Sequence, residues 1–284
     1  MQVGIGLPAA IPGVEGPAIV EWARRAEQRD FSALAEIDRM HYDNYEPIVA
    51  LAAAAAVTER ILLTTTILLA PLRTNHTLFA KQIATLDRLS AGRLVLGIGV
   101  GRRESDYSVS GSDYHQRGSG LDALLERASG LWRGETPGFG PAPALAGGPR
   151  LIFGGDSPRA LARMAKYGEG WIAGGGFGDV FRAGAESARK AWTQAGRTGR
   201  PRLVALSYFA LGAGAREAAD GYLKHYYDFV GPFAEQIAAG APTTPDAVRE
   251  RVADFAQAGC DELILMPCVA DPAQVDLLAD ALAD

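Results

Sequence analysis

Cysteine is nearly missing from this chain. Two occur in 284 residues, Cys260 and Cys268, too few for a disulfide framework. They read as buried free thiols in a reducing cytosol. Histidine is scarce too: there are four, none in a metal-ligand spacing, and no metal site is expected. No apolar run approaches the ~20 residues that span a bilayer, so no membrane partner is expected. Basic side chains are outnumbered, 28 against 33 acidic ones, and the net charge of −5 argues against a nucleic-acid surface. The opening MQVGIGLP enters a strand pattern at once and lacks the basic-then-apolar order of a signal peptide. A cytoplasmic location is the expectation.

What is there is apolar and regularly spaced. Hydrophobic residues make up 48% and charged ones 21%, enough for a sizeable core. Eight short apolar runs read as strands: 2–7, 31–37, 61–69, 93–100, 150–155, 170–175, 202–211 and 262–267. Each is followed by a stretch of helical spacing, as where Ile19, Trp22, Ala23 and Ala26 share one stripe. Two helices announce their starts. Ser157-Pro158 and Thr244-Pro245-Asp246 each place a capping hydroxyl before proline. Residues 216–240 read as one helix, whose aromatics Tyr222, Tyr226, Tyr227, Phe229 and Phe233 fit packing better than a pocket. Residues 102–120 read as a polar functional loop, and the Gly/Pro/Ala-rich 134–149 as a flexible excursion. Eight alternating units predict a closed TIM (β/α)8 barrel, one domain over residues 1–284, with an open doubly wound sheet as rival.

In a barrel, residues just after each strand share one rim, and active sites sit there. The rim would gather Asp38 and His41 after the second strand, and Thr66 and Ile67 near the end of the third. Gly99, Gly101, Arg102 and Arg103 would follow the fourth. Gly154, Gly155, Asp156 and Ser157 would follow the fifth, and Gly174, Gly175 and Gly176 the sixth. GGDSP can present free helix amides to a phosphate, or be a plain capped turn. GIGVG lacks the third glycine of a dinucleotide fingerprint. Arg102 and Arg103 can clamp an anion or stand solvated at the surface. His41 can carry a proton or merely be exposed. Asp38 gains weight from its place at a strand end.

The stretch TLFAKQIATLDRLSAGRLVLGIGVGRRESDY carries a more specific signal. It resembles the central signature of the bacterial luciferase-like flavin- and deazaflavin-dependent oxidoreductases, through Ala80, Ala84 to Asp87, Leu89, Ser90, Gly92, Arg93, Leu96, Gly97, Gly99 and Gly101. GGDSPRAL, GEGW and AGCDELILMP are similar to later segments of that family. Two positions depart from it. Arg39, not histidine, follows Asp38, and His76 stands for the usual proline.

The resemblance implies a TIM-like barrel, an oligomer such as a homodimer, and a coenzyme at the C-terminal rim. It also implies a non-prolyl cis peptide near Thr66-Ile67 and a phosphate on Gly154 and Gly155. The leading expectation is a monooxygenase using reduced FMN, supplied by a separate flavin reductase, with dioxygen on a small-molecule substrate. Asp38 or His41 would then manage protons, and Arg102 or Arg103 would steady negative charge. The alternatives are hydride transfer with the deazaflavin coenzyme F-420, a non-catalytic flavin-binding barrel, and a flavin-free barrel enzyme for phosphate substrates.

Overall fold

Strand β1 (Gln2–Gly6) leads through α1 (Gly16–Gln28) to β2 (Ala33–Glu36), and α2 (Pro47–Ala55) leads to β3 (Leu62–Thr65). The run that opens with β3 breaks and resumes as β4 (Leu68–Leu69), followed by α3 (His76–Leu89) and β5 (Leu94–Gly99). Helices α4 (Glu104–Val109) and α5 (Arg117–Trp132) precede β6 (Arg150–Gly154) and α6 (Pro158–Tyr167). Then come β7 (Gly170–Ala173), α7 (Gly178–Gln194) and β8 (Arg202–Phe209). Helices α8 (Ala215–Tyr226), α9 (Phe233–Ala239) and α10 (Pro245–Gln257) lead to β9 (Glu262–Pro267) and α11 (Ala273–Ala283). The structure is a computed structural model and describes residues 1–283.

The strands pair in the order β3-β2-β1-β9-β8-β7-β6-β5-β4, and β3 also pairs with β5, so the ring closes. Every pairing is parallel. The expected TIM barrel is therefore present, with its third strand in two pieces. Alternate side chains face opposite ways along each strand. Leu34, Leu63, Leu96 and Phe153 join the layer under the helices, while Ala35, Val95, Ile152 and Ile264 fill the barrel.

Four sequence expectations change. The run 61–69 is not one strand: pairing lapses at the Thr66-Ile67 peptide, which is cis, at the place where the resemblance implied such a bond. The stretch 102–120 is not a plain loop. Helix α4 forms because Asp106 and Tyr107 find buried places, and α5 already begins at Arg117. The helix expected over 216–240 is broken between α8 and α9, where Gly231 takes φ 59° ahead of Pro232. The excursion 134–149 lacks regular structure but is tied down. Asp87 Oδ2 accepts from the amides of Ala144 (2.7 Å) and Leu145 (3.4 Å), and Lys81 donates to the Gly140 carbonyl.

The helix starts follow the sequence. Ser157 Oγ accepts from Ala160 N at 3.2 Å, and Thr244 Oγ1 accepts from Ala247 N at 3.2 Å. Cys260 and Cys268 are buried and free. Among the described residues, no helix is long and apolar enough to cross a membrane, and no three His, Cys, Asp or Glu residues group as metal ligands.

Candidate active site at the C-terminal mouth

Asp38 stands just beyond β2, at the rim, but its side chain is 0% exposed. Its Oδ2 accepts from Leu69 N at 2.7 Å and from Arg73, which also reaches Glu46 at 2.9 Å. Burial pushes the Asp38 carboxyl up, against the pull of Arg73. This geometry makes Asp38 a fastening for the strand that follows the Thr66-Ile67 break, not an open proton carrier. The sequence reading missed Arg73, because nothing local ties it to a residue 35 positions away.

Glu36 lies two residues before Asp38 and has no cation of its own. Its Oε1 accepts from Ile37 N at 3.0 Å, while Oε2 has no partner. Burial pushes its carboxyl well above the usual range, and Asp38 and Glu46 add to the effect. A folded state that keeps this proton binds more protons than the unfolded chain once pH passes the ordinary glutamate pKa of about 4.3. Folding stability should then fall as pH rises from about 5 towards neutrality and beyond. Urea denaturation of Glu36→Gln across that range should show a flatter pH dependence than the natural protein. Equal slopes would assign the proton elsewhere.

Asp106 holds the loop after β2 in place. Its carboxylate, 2% exposed, accepts from Arg39 Nε at 2.9 Å and from the amides of Met40 (2.9 Å) and His41 (2.8 Å). His41 is thereby set at an exposed rim position, with its ring unpaired among the described residues. Of the two proton carriers read from the sequence, only His41 is open to solvent. The pairing of Arg39 with Asp106 was not legible, since it spans 67 positions.

Ile67, just past the cis bond, sends its side chain across the fourth and fifth strands of the ring. A Cβ built on Gly99 would collide with Ile67 Cδ1, and one built on Gly154 would come within 2.8 Å of it. Those two glycines therefore make room for Ile67. Gly101 likewise clears Leu69, at 2.7 Å from a built Cβ. Thr66 is held by its amide and its hydroxyl, which both donate to Glu36 O, at 2.7 and 3.2 Å.

Gly155, Asp156 and Ser157 are exposed where the ten-residue helix α6 begins, and Gly155 takes φ 100°. Gly174 and Gly175 are also exposed, and Gly176 O accepts from Arg251 at 3.2 Å.

The arginine pair divides. Arg102 is exposed. Arg103 lies 4.0 Å over Phe229 and 4.4 Å over Tyr226, and donates to Tyr226 O at 2.8 Å. Its charge faces aromatic rings and a helix-end carbonyl, both favourable for a cation. It secures the segment after α8 across the mouth, which leaves Arg102 as the member of the pair open to solvent. Arg39 adds to this, 5.3 Å over Tyr42 and 5.6 Å over Tyr226. Tyr208, Tyr222, Leu223 and Tyr226 join the barrel-interior cluster, so the aromatics of α8 pack down onto the mouth. A separate concavity of about 890 Å³ lies along the start of α8, bordered by residues such as Gly212, Arg216 and Thr244. It includes none of the expected rim residues and has no claim on the chemistry.

The family profile described as luciferase-like monooxygenase matches residues 1–276. The chain belongs to that family. A solved monooxygenase, RslO1 from Streptomyces bottropensis, superposes with TM-score 0.80 at 21% identity, covering 100% of this chain and 99% of that one. An F420-dependent secondary alcohol dehydrogenase superposes with TM-score 0.78 at 16% identity, covering 99% and 97%. These likenesses concern the fold. An uncharacterised protein of Mycobacterium tuberculosis is 32% identical over 181 residues, 60% of this chain and 64% of that protein. The F420-dependent glucose-6-phosphate dehydrogenase of Kribbella flavida is 30% identical over 145 residues, 48% and 43% of the two chains. Thus the match spans under two thirds of either curated relative.

The luciferase-like barrel of this chain carries groups suited to a flavin-type coenzyme. Free amides at the start of α6 suit a phosphate. The Ile67 side chain offers an apolar wall, and tyrosines of α8 pack onto the same cluster. Asp156, exposed beside those amides, opposes an anion unless its carboxylate turns away.

Proposed function

We propose that this chain is an oxidoreductase that holds a flavin-type coenzyme at the C-terminal mouth and acts on a small organic substrate. Reduced FMN with dioxygen is the leading form, which makes the enzyme a monooxygenase served by a separate flavin reductase. The bound coenzyme supplies the redox chemistry, and the protein supplies orientation and a dry site. The observation that carries this reading is the Ile67 side chain laid across Gly99 and Gly154 beneath an aromatic cap. Ile67 would back the ring, and the amides of Gly155 to Ser157 would hold its phosphate. His41 would exchange protons with solvent, on a loop that Asp106 keeps fixed. We place this activity in the cytoplasm and in a homodimer.

Hydride transfer with the deazaflavin coenzyme F-420 is the second reading. It is favoured by the two F420-dependent glucose-6-phosphate dehydrogenases, 30% and 27% identical over their matched segments. Fluorescence titration with FMN and with the deazaflavin distinguishes the two. The leading form expects tight FMN binding and dioxygen uptake when the reduced protein meets substrate. Tight binding of the deazaflavin alone would replace it with the second.

A further inference from the structure

Tyr208 is the last residue but one of β8, at the barrel mouth, and is 4% exposed. Its hydroxyl lies 2.7 Å from that of Tyr227, which follows α8. Two phenols carry two O–H protons, and one hydrogen bond between them uses only one. Neither oxygen has a second partner within hydrogen-bond distance among the described residues. One O–H is therefore left to donate elsewhere, from a pair in which Tyr208 is buried and Tyr227 only partly so. Burial pushes both phenols up from their ordinary pKa, so both stay protonated and able to donate.

The surroundings say what kind of acceptor fits. The pair sits with Tyr222, Tyr226, Met266 and Cys268, aromatic or soft apolar groups. Arg39 is engaged by Asp106, and Arg103, 5.7 Å over the Tyr227 ring, donates to Tyr226 O while its Nε has no partner. Gly175 marks the approach. It is exposed, and a Cβ built there would lie 3.9 Å from the Tyr227 hydroxyl and 3.6 Å from the Tyr208 ring. A methyl would thus fit against the protein while narrowing the path to the hydroxyls.

We propose that the Tyr208 and Tyr227 hydroxyls together form a hydrogen-bond donor site for the carbonyl or hydroxyl oxygen of an uncharged, ring-containing substrate, reached past Gly175. This rests on the reading of the mouth as an oxidoreductase site. The pair holds the reacting carbon's oxygen in place, and the aromatic rings hold the substrate's body. A phosphorylated sugar is a poorer fit than a neutral ring, because the pair's lining is aromatic and apolar and Arg103 beside it already lies over rings and donates to Tyr226 O.

The test uses coenzyme-loaded protein with cyclohexanone labelled at its carbonyl carbon, followed by infrared difference spectroscopy. In the natural protein the carbonyl band should move to lower frequency on binding. Tyr208→Phe or Tyr227→Phe alone should keep the shift, since each leaves one O–H free to donate. The double variant should lose the shift and bind about tenfold more weakly, with unchanged coenzyme affinity and thermal midpoint. Gly175→Ala should weaken ketone binding with the midpoint unchanged. An unshifted band in the natural protein, as when the hydroxyl holds only a water, overturns the proposal. So does a double variant that keeps both shift and affinity, or glucose 6-phosphate bound as tightly as the ketone.

Coenzyme binding is followed separately by fluorescence. Coenzyme bound with an unshifted ketone sinks the donor site alone. A shifted ketone on protein that takes up neither coenzyme sinks the oxidoreductase reading alone.

Discussion

Arg73→Ala is expected to lower folding stability by about 3–5 kcal/mol, the range for breaking a buried ion pair from one side. The side chains of Asp38 and Arg73 are 0% and 11% exposed. Without the guanidinium, Asp38 is left buried near Glu36, whose carboxyl burial pushes well above its usual range, and near the half-exposed Glu46. The charge itself, more than the lost contact, would drive the loss. Arg73→Met combined with Asp38→Asn should therefore recover most of it, since no unpaired charge remains. The damage should also reach the mouth. Asp38 accepts from Leu69 N, and Leu69 lies two residues beyond Ile67. Urea denaturation beside coenzyme titration would measure both effects. A loss in Arg73→Ala below about 1 kcal/mol would mean that the pair behaves as an exposed one.

A single methyl should have opposite outcomes at two glycines only two residues apart. On Gly97 a Cβ would run into the carbonyl oxygen of Thr65, and backbone cannot step aside. β5 would have to leave β3, and the ring closes at that seam. Gly97→Ala is expected to yield no folded protein, or one destabilised beyond the about 1–3 kcal/mol usual for overpacking. On Gly99 the obstacle is Ile67 Cδ1, the free end of a side chain. Gly99→Ala should fold, lose stability within that range, and bind coenzyme poorly because Ile67 is driven off its place. Adding Ile67→Ala should return stability by reopening the space. Thermal midpoints of the three variants are the measurement. Comparable midpoints for Gly97→Ala and Gly99→Ala would refute the distinction between backbone and side-chain obstruction.

What could be read beforehand was what the chain encodes locally. Apolar runs marked the ring, and Ser157-Pro158 and Thr244-Pro245 marked helix starts. Gly231-Pro232 was a legible breaker inside 216–240, and helical spacing on either side masked it. The lapse at Thr66-Ile67 was legible through the family resemblance, which implies a cis peptide there, and not through composition, since ILLTTTILL stays apolar and β-branched through it. Helix α4 was hidden by its polar composition, which mattered less than burial of Asp106 and Tyr107. At the site, the glycines were seen, but not that Ile67 occupies the space they leave. Arg39 with Asp106, Asp38 with Arg73, and Tyr208 with Tyr227 are meetings made by the closed ring, and no local periodicity announces them.

The split third strand separates two demands that a continuous strand would combine. Its lower half, β3, pairs Leu63 with Leu94 and Thr64 with Val95 and so shuts the ring. Its upper half, β4, pairs with β5 alone, through Leu68 and Leu69. Below the break, Arg93 clasps the floor of the same seam, donating to the carbonyls of Ala55, Thr58, Ile61 and Ser90. Closure is thus completed before the chain reaches the mouth. Side chains above Thr66 can be exchanged to suit a new substrate while the seam below stays shut, which makes this strand the place to redesign first.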